Sequence, residues 1–207
     1  MTTLTQLFST AVDYARTAHA SQFRKGTNIP YLYHLLGVAS LVLEYAGNQD
    51  QAIAGLLHDV LEDCGTEHEH PIRAQFGEAV IAIVLDCTDG TLEGKADAAS
   101  AGTAIDHWRR RKLAYLAHLT HVQDSSLLVS GSDKLHNARA ILNDLEDPRI
   151  GPAVFERFTA KREGTLRYYH TLSEILNRRQ APMASALETA VARMHDLAHA
   201  DARIGLA

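Results

Sequence analysis

The 207-residue sequence predicts an all-α protein. Apolar residues recur at spacings of three and four through most of the chain, as they do on the buried face of an amphipathic helix. No stretch alternates apolar and polar residues as a half-buried strand does, and no glycine loop of the dinucleotide-binding type is present. The length fits one domain with a substantial core. We therefore expect a single helical domain over residues 1–207 with about eight or more helices.

Two helices and a connecting loop open the chain. The first predicted helix covers residues 5–20, and the loop that follows it is broken by Gly26 and Pro30. The second predicted helix covers residues 31–46, and Gly47 is its candidate C-cap.

Two more helices complete the N-terminal half. Asn48 or Asp50 can cap the third, which is expected to continue to near Gly65. Pro71 is expected to open the fourth, because proline is tolerated in the first turn of a helix. Gly77 should interrupt this fourth helix.

The remainder of the chain contains one predicted loop and four predicted helices. The segment from Thr88 to Gly102 is rich in Gly, Ala and Asp and predicts an exposed loop. Apolar periodicity then predicts four helices, over residues 105–120, 125–145, 151–176 and 183–205. The last two of these begin next to a proline, Pro152 and Pro182.

Composition and charge exclude several classes of protein. A net charge of −5 argues against a binder of nucleic acids or anionic membranes, because both partners require an extended basic surface. No apolar run approaches the roughly 20 residues of a membrane span, and the N-terminus lacks the features of a signal peptide. We therefore expect a cytoplasmic protein, in which Cys64 and Cys87 are reduced.

One octet, LLHDVLED, concentrates acidic residues on one side of a helix. Its apolar residues fall on one side of a helical wheel, and His58, Asp59, Glu62 and Asp63 fall on the other. A solvated helix face usually mixes both charge signs, whereas this face has no lysine or arginine. One turn earlier the same side has Gly55, which would let another element approach closely. The octet alone leaves a cation site and a plain acidic surface as open interpretations.

Two further ionisable residues lie within apolar helical segments, where such side chains are uncommon. His34 lies early in the second predicted helix among apolar residues, where a lone histidine is more often a satisfied core residue than a ligand. Asp133 lies midway along an apolar helix and needs a partner there. Lys134 or Arg139 could form a structural ion pair with it.

His34, His58, Asp59 and Asp133 together are two imidazoles and two carboxylates on three predicted helices. The set suits a first-row divalent cation, and its oxygen-rich ligation favours Mn²⁺ or a similar ion over a closed structural zinc site. Four protein ligands leave positions open for water and a phosphate oxygen, as a hydrolytic site requires. We expect one such ion per chain.

The order of these residues resembles the H…HD…D pattern of the HD superfamily of metal-dependent phosphohydrolases. The resemblance is stronger to the alarmone hydrolases of the Rel/Spo family, and strongest to their small stand-alone members. The motifs that carry it are AHASQFRKGTNIPYLYH, AGLLHDVLED, FGEAVIAIVLDCTD, RRRKLAYLAHL and SDKLHNARAI. An HD pair alone is a weak motif, whereas HD followed by ED, with RKG…PY…H before it and DKLHN after it, is specific. The motif-bearing core covers residues 5–175.

The resemblance implies hydrolysis of the 3′-pyrophosphate of a nucleotide such as ppGpp or ppApp. Pyrophosphate and a nucleoside 5′-phosphate would be the products. It implies that the two histidines and two aspartates above hold the metal ion, and that Glu62 and Asp63 orient and deprotonate the attacking water. It also implies five substrate-contacting residues, Arg24, Lys25, Lys112, Asn137 and Tyr169.

Two rival functions are open at this point. Another HD phosphohydrolase could act on 5′-nucleotides or cyclic dinucleotides, but the RKG…PY loop and the ED pair argue against this substrate class. A non-catalytic nucleotide sensor is the second rival. The presence of all four ligand residues together with Glu62 and Asp63 argues against a sensor.

Overall fold

The computed structural model describes residues 2–90, 94, 96–97, 102–200 and 203–206. The only β pairing among these residues is an isolated bridge between Phe23 and Pro30, so the prediction of an all-α protein is confirmed. Ten α-helices are defined over their full length: α1 (Gln6–Ala18), α2 (Leu32–Glu44), α3 (Gln49–Leu57), α4 (Val60–Asp63), α5 (Glu69–Phe76), α6 (Glu78–Cys87), α7 (Ala104–Leu119), α8 (Asp124–Glu146), α9 (Lys161–Arg178) and α10 (Ala184–Leu197). Two short 3₁₀ segments cover Thr66–His68 and Gly151–Arg157.

The chain forms two compact units. The first comprises Met1–Asp97 and Val122–Asp133, and the second comprises Ala98–His121 and Lys134–Ala207. Helix α8 therefore contributes residues to both units. The prediction that residues 1–207 form one domain stays a prediction.

Helix α3 is the central element of the first unit. It packs against α1, α2 and α6, and its residues from Ala52 to Leu57 are all buried. Gly55 allows the backbones of α3 and α2 to come close, since a Cβ atom at this position would lie 3.3 Å from the Cα of Ala39. The close approach expected at Gly55 is thus present.

Side-chain capping fixes the start of α3. The Oδ1 of Asn48 accepts a hydrogen bond from the backbone N–H of Gln51 at 2.9 Å, and the Oε1 of Gln51 accepts one from the backbone N–H of Asn48 at 2.8 Å. This reciprocal pair is a capping box. Of the two predicted caps, Asn48 is therefore the one used.

The end of α2 differs from the prediction. Ala46 has the left-handed conformation (φ 63°), and the N–H of Gly47 bonds to the carbonyl of Val42 at 2.8 Å. These are the features of a Schellman motif, in which Gly47 is the residue after the left-handed one. Gly47 is required for a different reason: a Cβ atom there would lie 2.5 Å from Cγ1 of Val42.

The predicted third helix is wrong as a continuous element. Helix α3 ends at Leu57 and α4 begins at Val60, so that His58 and Asp59 form a turn between two helices. The Nδ1 of His58 lies 2.9 Å from the carbonyl oxygen of Gly55. A side chain thus bonds to a carbonyl of the last turn of α3, as commonly happens where a helix ends.

The predicted fourth helix begins earlier than expected. Helix α5 starts at Glu69, two residues before Pro71, and proline is tolerated there because it remains in the first turn. The predicted interruption at Gly77 is confirmed, since Gly77 has a φ of 90° and α6 begins at the next residue.

The second unit contains α7, α9 and α10, and both α7 and α10 pack against α9. The predicted helix over 151–176 is wrong at its start, where Gly151–Arg157 is a 3₁₀ segment and α9 begins only at Lys161. Val154 and Phe155 are buried, so packing holds this segment in the tighter conformation. The left-handed φ of Lys161 (53°) marks the junction with α9.

The predicted helix over 183–205 is too long. Helix α10 ends at Leu197, because His199 has a φ of 50° and the N–H of Ala200 bonds to the carbonyl of His195 at 3.0 Å. The described residues from 203 to 206 are not helical.

The predicted loop over 88–102 is only partly described. Residues 91–93, 95 and 98–101 lie outside the described residues, and residues 94, 96 and 97 are helical.

None of the helices formed by the described part of the chain combines the length and apolarity needed to cross a bilayer. The cytoplasmic location stays a prediction. Both Cys64 and Cys87 are free thiols, as expected.

Candidate metal centre

The four predicted metal ligands converge in the first unit. The Nε2 of His34, on α2, lies 3.1 Å from Oδ1 of Asp133, on α8, and 3.6 Å from Oδ2 of Asp59. The Nε2 of His58 lies 3.1 Å from Oδ2 of Asp59 and 3.6 Å from Oδ1 of Asp133. Two imidazole nitrogens and two carboxylate oxygens therefore face one point.

Two consecutive residues in the turn between α3 and α4 face this point. His58 and Asp59 both keep right-handed helical backbone angles, and their long side chains still meet, with Nε2 and Oδ2 only 3.1 Å apart. The turn thus supplies two of the four converging groups.

The protonation of His58 shows what this point requires. Its Nδ1 faces the carbonyl oxygen of Gly55, which only accepts hydrogen bonds, so Nδ1 carries the proton of the neutral ring. In that neutral ring the Nε2 atom is buried and carries a lone pair, so it cannot donate to the carboxylate oxygens that lie 3.1 and 3.6 Å away. Lone pairs and carboxylates that face one another need positive charge between them, so these residues fit a divalent cation.

The ligand atoms of His34, His58 and Asp59 all lie within 4.8 Å of one another, a spacing that could hold a metal ion. His34, His58 and Asp133 are buried, whereas the side chain of Asp59 is 17% exposed. One side of the cluster is therefore accessible to solvent through Asp59.

The electrostatics of the cluster favour a cation. Burial alone would lower the pKa of His58, but the carboxylates of Asp59 and Asp133 raise it well above its ordinary value. Burial would raise the pKa of Asp59, but His58 and His34 hold it well below its ordinary value. Both shifts have one cause, which is the electrostatic attraction between the two carboxylates and positive charge on the imidazoles. A proton on His58 or a divalent cation can meet this demand.

The predicted acid pair lies on α4, half-buried, one turn after Asp59. The Oδ2 of Asp63 accepts a hydrogen bond from the Nε2 of Gln22 at 2.9 Å. The Oε2 of Glu62 accepts a longer one, 3.4 Å, from the backbone N–H of Asp89. Both acids thus have fixed surroundings in the first unit, and their role in catalysis stays a prediction.

Arg24 and Lys25 lie at the tip of the loop between α1 and α2. Gly26 takes a φ of 72° at this tip, and the N–H of Arg24 bonds to the carbonyl of Ile29 at 2.8 Å. The guanidinium carbon of Arg24 lies 5.7 Å from the centre of the Tyr31 ring, and Lys25 is exposed. Their predicted contacts with substrate are not tested by these positions.

Lys112, Asn137 and Tyr169 belong to the second unit. The Nζ of Lys112 lies 5.4 Å from the ring centre of Tyr168 and 5.9 Å from that of Tyr115. Tyr169 is buried, with its ring 5.5 Å from that of Tyr168, and Asn137 is half-buried on α8. Substrate contacts by these three residues stay predictions.

Three residues around the acids have no predicted role. The hydroxyl of Tyr31 donates a hydrogen bond to Oδ2 of Asp59 at 2.6 Å, and its ring stacks on His19 at 5.1 Å. Burial, followed by the charges of Asp59 and Asp63, raises the pKa of Tyr31 well above its ordinary value, so the hydroxyl keeps its proton. Gln22, Tyr31 and His19 all lie in the AHASQFRKGTNIPYLYH motif, but nothing in the spacing of that motif points to these contacts.

The model of the HD domain family matches residues 11–166, which is three quarters of the chain. The chain belongs to the HD domain family. The matched range contains both histidines and both aspartates of the cluster, as well as Glu62 and Asp63.

Several relatives of this chain carry names that describe one activity. The chain is 34% identical over 132 residues to guanosine-3′,5′-bis(diphosphate) 3′-pyrophosphohydrolase MESH1 of Xenopus tropicalis, covering 62% of this chain and 66% of the relative. It is 31% identical over 132 residues to the Homo sapiens protein of the same name, with the same coverage. Guanosine-3′,5′-bis(diphosphate) 3′-pyrophosphohydrolase of Aquifex aeolicus is 33% identical over 140 residues, which are 67% of this chain and 18% of the relative. The match thus spans slightly less than two thirds of the animal relatives and under a fifth of the bacterial one.

A solved structure of a metazoan ortholog of SpoT has the same fold. It superposes with a TM-score of 0.67 over 95% of this chain and 97% of the other, at 22% sequence identity. The similarity agrees with the all-helical HD-domain architecture.

Proposed function

We propose that this HD-domain chain is a metal-dependent hydrolase of purine nucleotides that carry a 3′-pyrophosphate, of the ppGpp or ppApp type. The convergence of His34, His58, Asp59 and Asp133 on one point carries the proposal, because such a set holds a hydrolytic cation. The names of the relatives support this substrate class. The products would be pyrophosphate and the nucleoside 5′-phosphate.

Mn²⁺ is the proposed ion, with one bound per chain by the two histidines and two aspartates. Mixed imidazole and carboxylate ligation suits Mn²⁺, whereas structural zinc favours sulfur-rich ligation. When bound, such an ion polarises a water molecule and offsets negative charge on a phosphate oxygen.

Glu62 and Asp63 are the proposed proton acceptors. One carboxylate takes a proton from the attacking water as its oxygen bonds to the phosphorus attached to O3′ of the nucleotide. The bond between that phosphorus and O3′ breaks, pyrophosphate leaves, and O3′ takes up a proton to become a hydroxyl. Water is the only co-reactant, and no covalent enzyme intermediate is needed.

Arg24 and Lys25 are proposed to bind the nucleotide. The substrate carries several negative charges, and the acids of the site would repel it without nearby cations. A guanidinium can also lie flat on a purine ring. The guanidinium carbon of Arg24 lies 5.7 Å from the centre of the Tyr31 ring, within the range of a cation–π contact. Arg24 is therefore proposed to contact the base, and Lys25 a phosphate.

The test is turnover of ppGpp, pppGpp, ppApp and pppApp side by side in Mn²⁺, with identification of the products. We expect pyrophosphate release from at least one of them, loss of activity in excess chelator, and loss of both activity and metal binding in Asp133→Asn. Cleavage of 5′-phosphates or cyclic dinucleotides instead would favour a different HD phosphohydrolase. Tight metal and nucleotide binding with no turnover would favour a sensor. Either result would overturn the proposal.

A further inference from the structure

The loop from Gln22 to Tyr31 closes on itself through backbone hydrogen bonds. The N–H of Tyr31 bonds to the carbonyl of Gln22 at 2.9 Å, and the N–H of Arg24 bonds to the carbonyl of Ile29 at 2.8 Å. The hydroxyl of Thr27 donates to the carbonyl of Arg24 at 2.9 Å. Gln22 and Tyr31 therefore lie side by side at the base of the loop.

Tyr31 fixes one carboxylate at the base of this loop. Its hydroxyl donates to Oδ2 of Asp59 at 2.6 Å, and this is the oxygen that lies 3.1 Å from Nε2 of His58. The Tyr31 ring is itself held, since it stacks on His19 and meets the edge of His34 at a centroid distance of 5.4 Å. The hydroxyl thus sets the orientation of a carboxylate within the metal cluster.

Gln22 fixes a second carboxylate. Its Nε2 donates to Oδ2 of Asp63 at 2.9 Å, and its Oε1 lies 2.6 Å from Nδ1 of His19. Because a carboxylate only accepts, the amide group can satisfy both contacts in one orientation, with the Nδ1–H of His19 donating to Oε1. His19 is buried, so its hydrogen bond to Oε1 fixes the orientation of the Gln22 amide group.

We infer that the loop from Gln22 to Tyr31 is a positioning element, in which the Tyr31 hydroxyl orients Asp59 for the metal ion and the Gln22 amide orients Asp63 for the attacking water. The inference rests on the proposed function and extends it. Arg24 and Lys25 lie at the tip of the same loop, between its two positioning residues. One ten-residue segment therefore contains the residues proposed to contact the nucleotide and the two side chains that donate hydrogen bonds to Asp59 and Asp63.

The first test is the affinity for Mn²⁺ of Tyr31→Phe, measured by competition with a chelator. This variant keeps the ring that stacks on His19 and removes only the hydroxyl. Loss of a group that orients a metal ligand typically weakens metal binding by about 10- to 100-fold, and we expect about tenfold here. Tyr45→Phe is the matched control, because Tyr45 is a half-buried tyrosine at the C-terminal end of α2, away from His34 near the start of that helix. The control should bind Mn²⁺ as the parent does.

The second test separates Gln22 from Tyr31. Gln22→Met keeps the length of the side chain but removes the donor to Asp63. We expect an unchanged affinity for Mn²⁺ and a lower kcat with little change in KM, because the substrate contacts are intact. Gln75→Met is the matched control, since Gln75 is exposed on α5.

A double-mutant cycle between Gln22→Met and Asp63→Ala supplies a readout that needs no activity. Hydrogen bonds to charged groups contribute enough that the two changes should be non-additive by about tenfold in the unfolding equilibrium constant. Wild-type affinity for Mn²⁺ in Tyr31→Phe, or additivity in the cycle, would overturn the inference for that residue. If the parent hydrolyses none of the four nucleotides but both effects are present, the positioning role stands and the proposed substrate fails.

Discussion

Replacing Gly55 with alanine tests how closely α2 and α3 must approach each other. A Cβ atom at this position would lie 3.3 Å from the Cα of Ala39, 3.4 Å from its backbone N and 3.5 Å from Cγ1 of Val38. Two of these atoms are backbone atoms and cannot rotate away. Helix α2 would therefore have to move by a few tenths of an ångström.

Two effects of opposite sign determine the outcome. Alanine is favoured over glycine in a helix interior by about 0.8–1 kcal/mol. Overpacking of a well-packed core typically costs about 1–3 kcal/mol. Because the obstacle is backbone, we expect the second effect to be larger, so that Gly55→Ala lowers the free energy of unfolding by about 1 kcal/mol. In a chain of this size, that corresponds to a fall in Tm of about 2–4 °C.

The same substitution should weaken metal binding. His34 lies on α2, and the Nδ1 of His58 bonds to the carbonyl of Gly55 itself, so separation of the helices moves one ligand relative to another. We expect the Kd for Mn²⁺ to rise by up to about tenfold. Urea unfolding of the metal-free protein and chelator competition measure the two effects. Ala82→Gly, at an exposed position of α6, isolates the helix-propensity effect and should cost about 1 kcal/mol. A more stable Gly55→Ala variant with unchanged metal affinity would refute the reasoning.

Four further predictions concern the site. Glu62→Gln and Asp63→Asn should each keep metal affinity while kcat falls by roughly 10²-fold, as steady-state kinetics and metal titration would show. Arg24→Lys should weaken binding of a purine nucleotide by about 1 kcal/mol, measured by calorimetry, because an ammonium cannot replace the stacked guanidinium. Metal binding at pH 7 should release a proton and become tighter as the pH rises. The carboxylates raise the pKa of His58, and the proton on its Nε2 must leave before this atom can bind a metal ion. Calorimetry in buffers of different ionisation enthalpy measures the number of protons released. Cys64 should react slowly with iodoacetamide at pH 7.5, because burial and the nearby acids raise its pKa to about 12.

Each of these predictions has an outcome that contradicts it. A rise in KM alone in the Glu62 or Asp63 variants would mean that these acids position substrate. Equal affinities of Arg24→Lys and the parent would exclude base stacking by this residue. Metal binding without proton release would show that His58 is neutral before binding. Alkylation of Cys64 at the rate of a free thiol would contradict its raised pKa.

Apolar periodicity predicted the helices well where burial follows one face. The predicted bounds of 105–120 and 125–145 differ by one residue at each end from those of α7 and α8. The break at His58 and Asp59 could not be predicted in this way, since both residues keep right-handed helical backbone angles and the apolar pattern continues through them. The 3₁₀ segment before α9 was missed because Val154 and Phe155 are buried as they would be on an α-helix, so the apolar pattern does not distinguish the two conformations.

The convergence of the four proposed metal ligands was predictable because these residues are chemically unusual in their local sequence. An aspartate in an apolar helix and a run of acids without a neighbouring cation both require an explanation from their sequence context alone. Tyr31 and Gln22 are ordinary residues in a loop, and the acids that they contact are 28 and 41 positions away. Only the folded chain brings those pairs together, so the supports of the site could not be predicted from the sequence.

The discontinuous composition of the first unit has a consequence for protein synthesis. Its segment Val122–Asp133 follows residues Ala98–His121, which belong to the second unit. Asp133 lies 74 positions after Asp59 in the sequence. At translation rates of about 5–20 residues per second, the ribosome needs roughly 4–15 s to add that stretch. During this interval the nascent chain has His34, His58 and Asp59 but not Asp133, the fourth proposed ligand. The proposed metal centre can therefore be completed only late in synthesis, and a chain that stalls before residue 133 has three of the four proposed ligands.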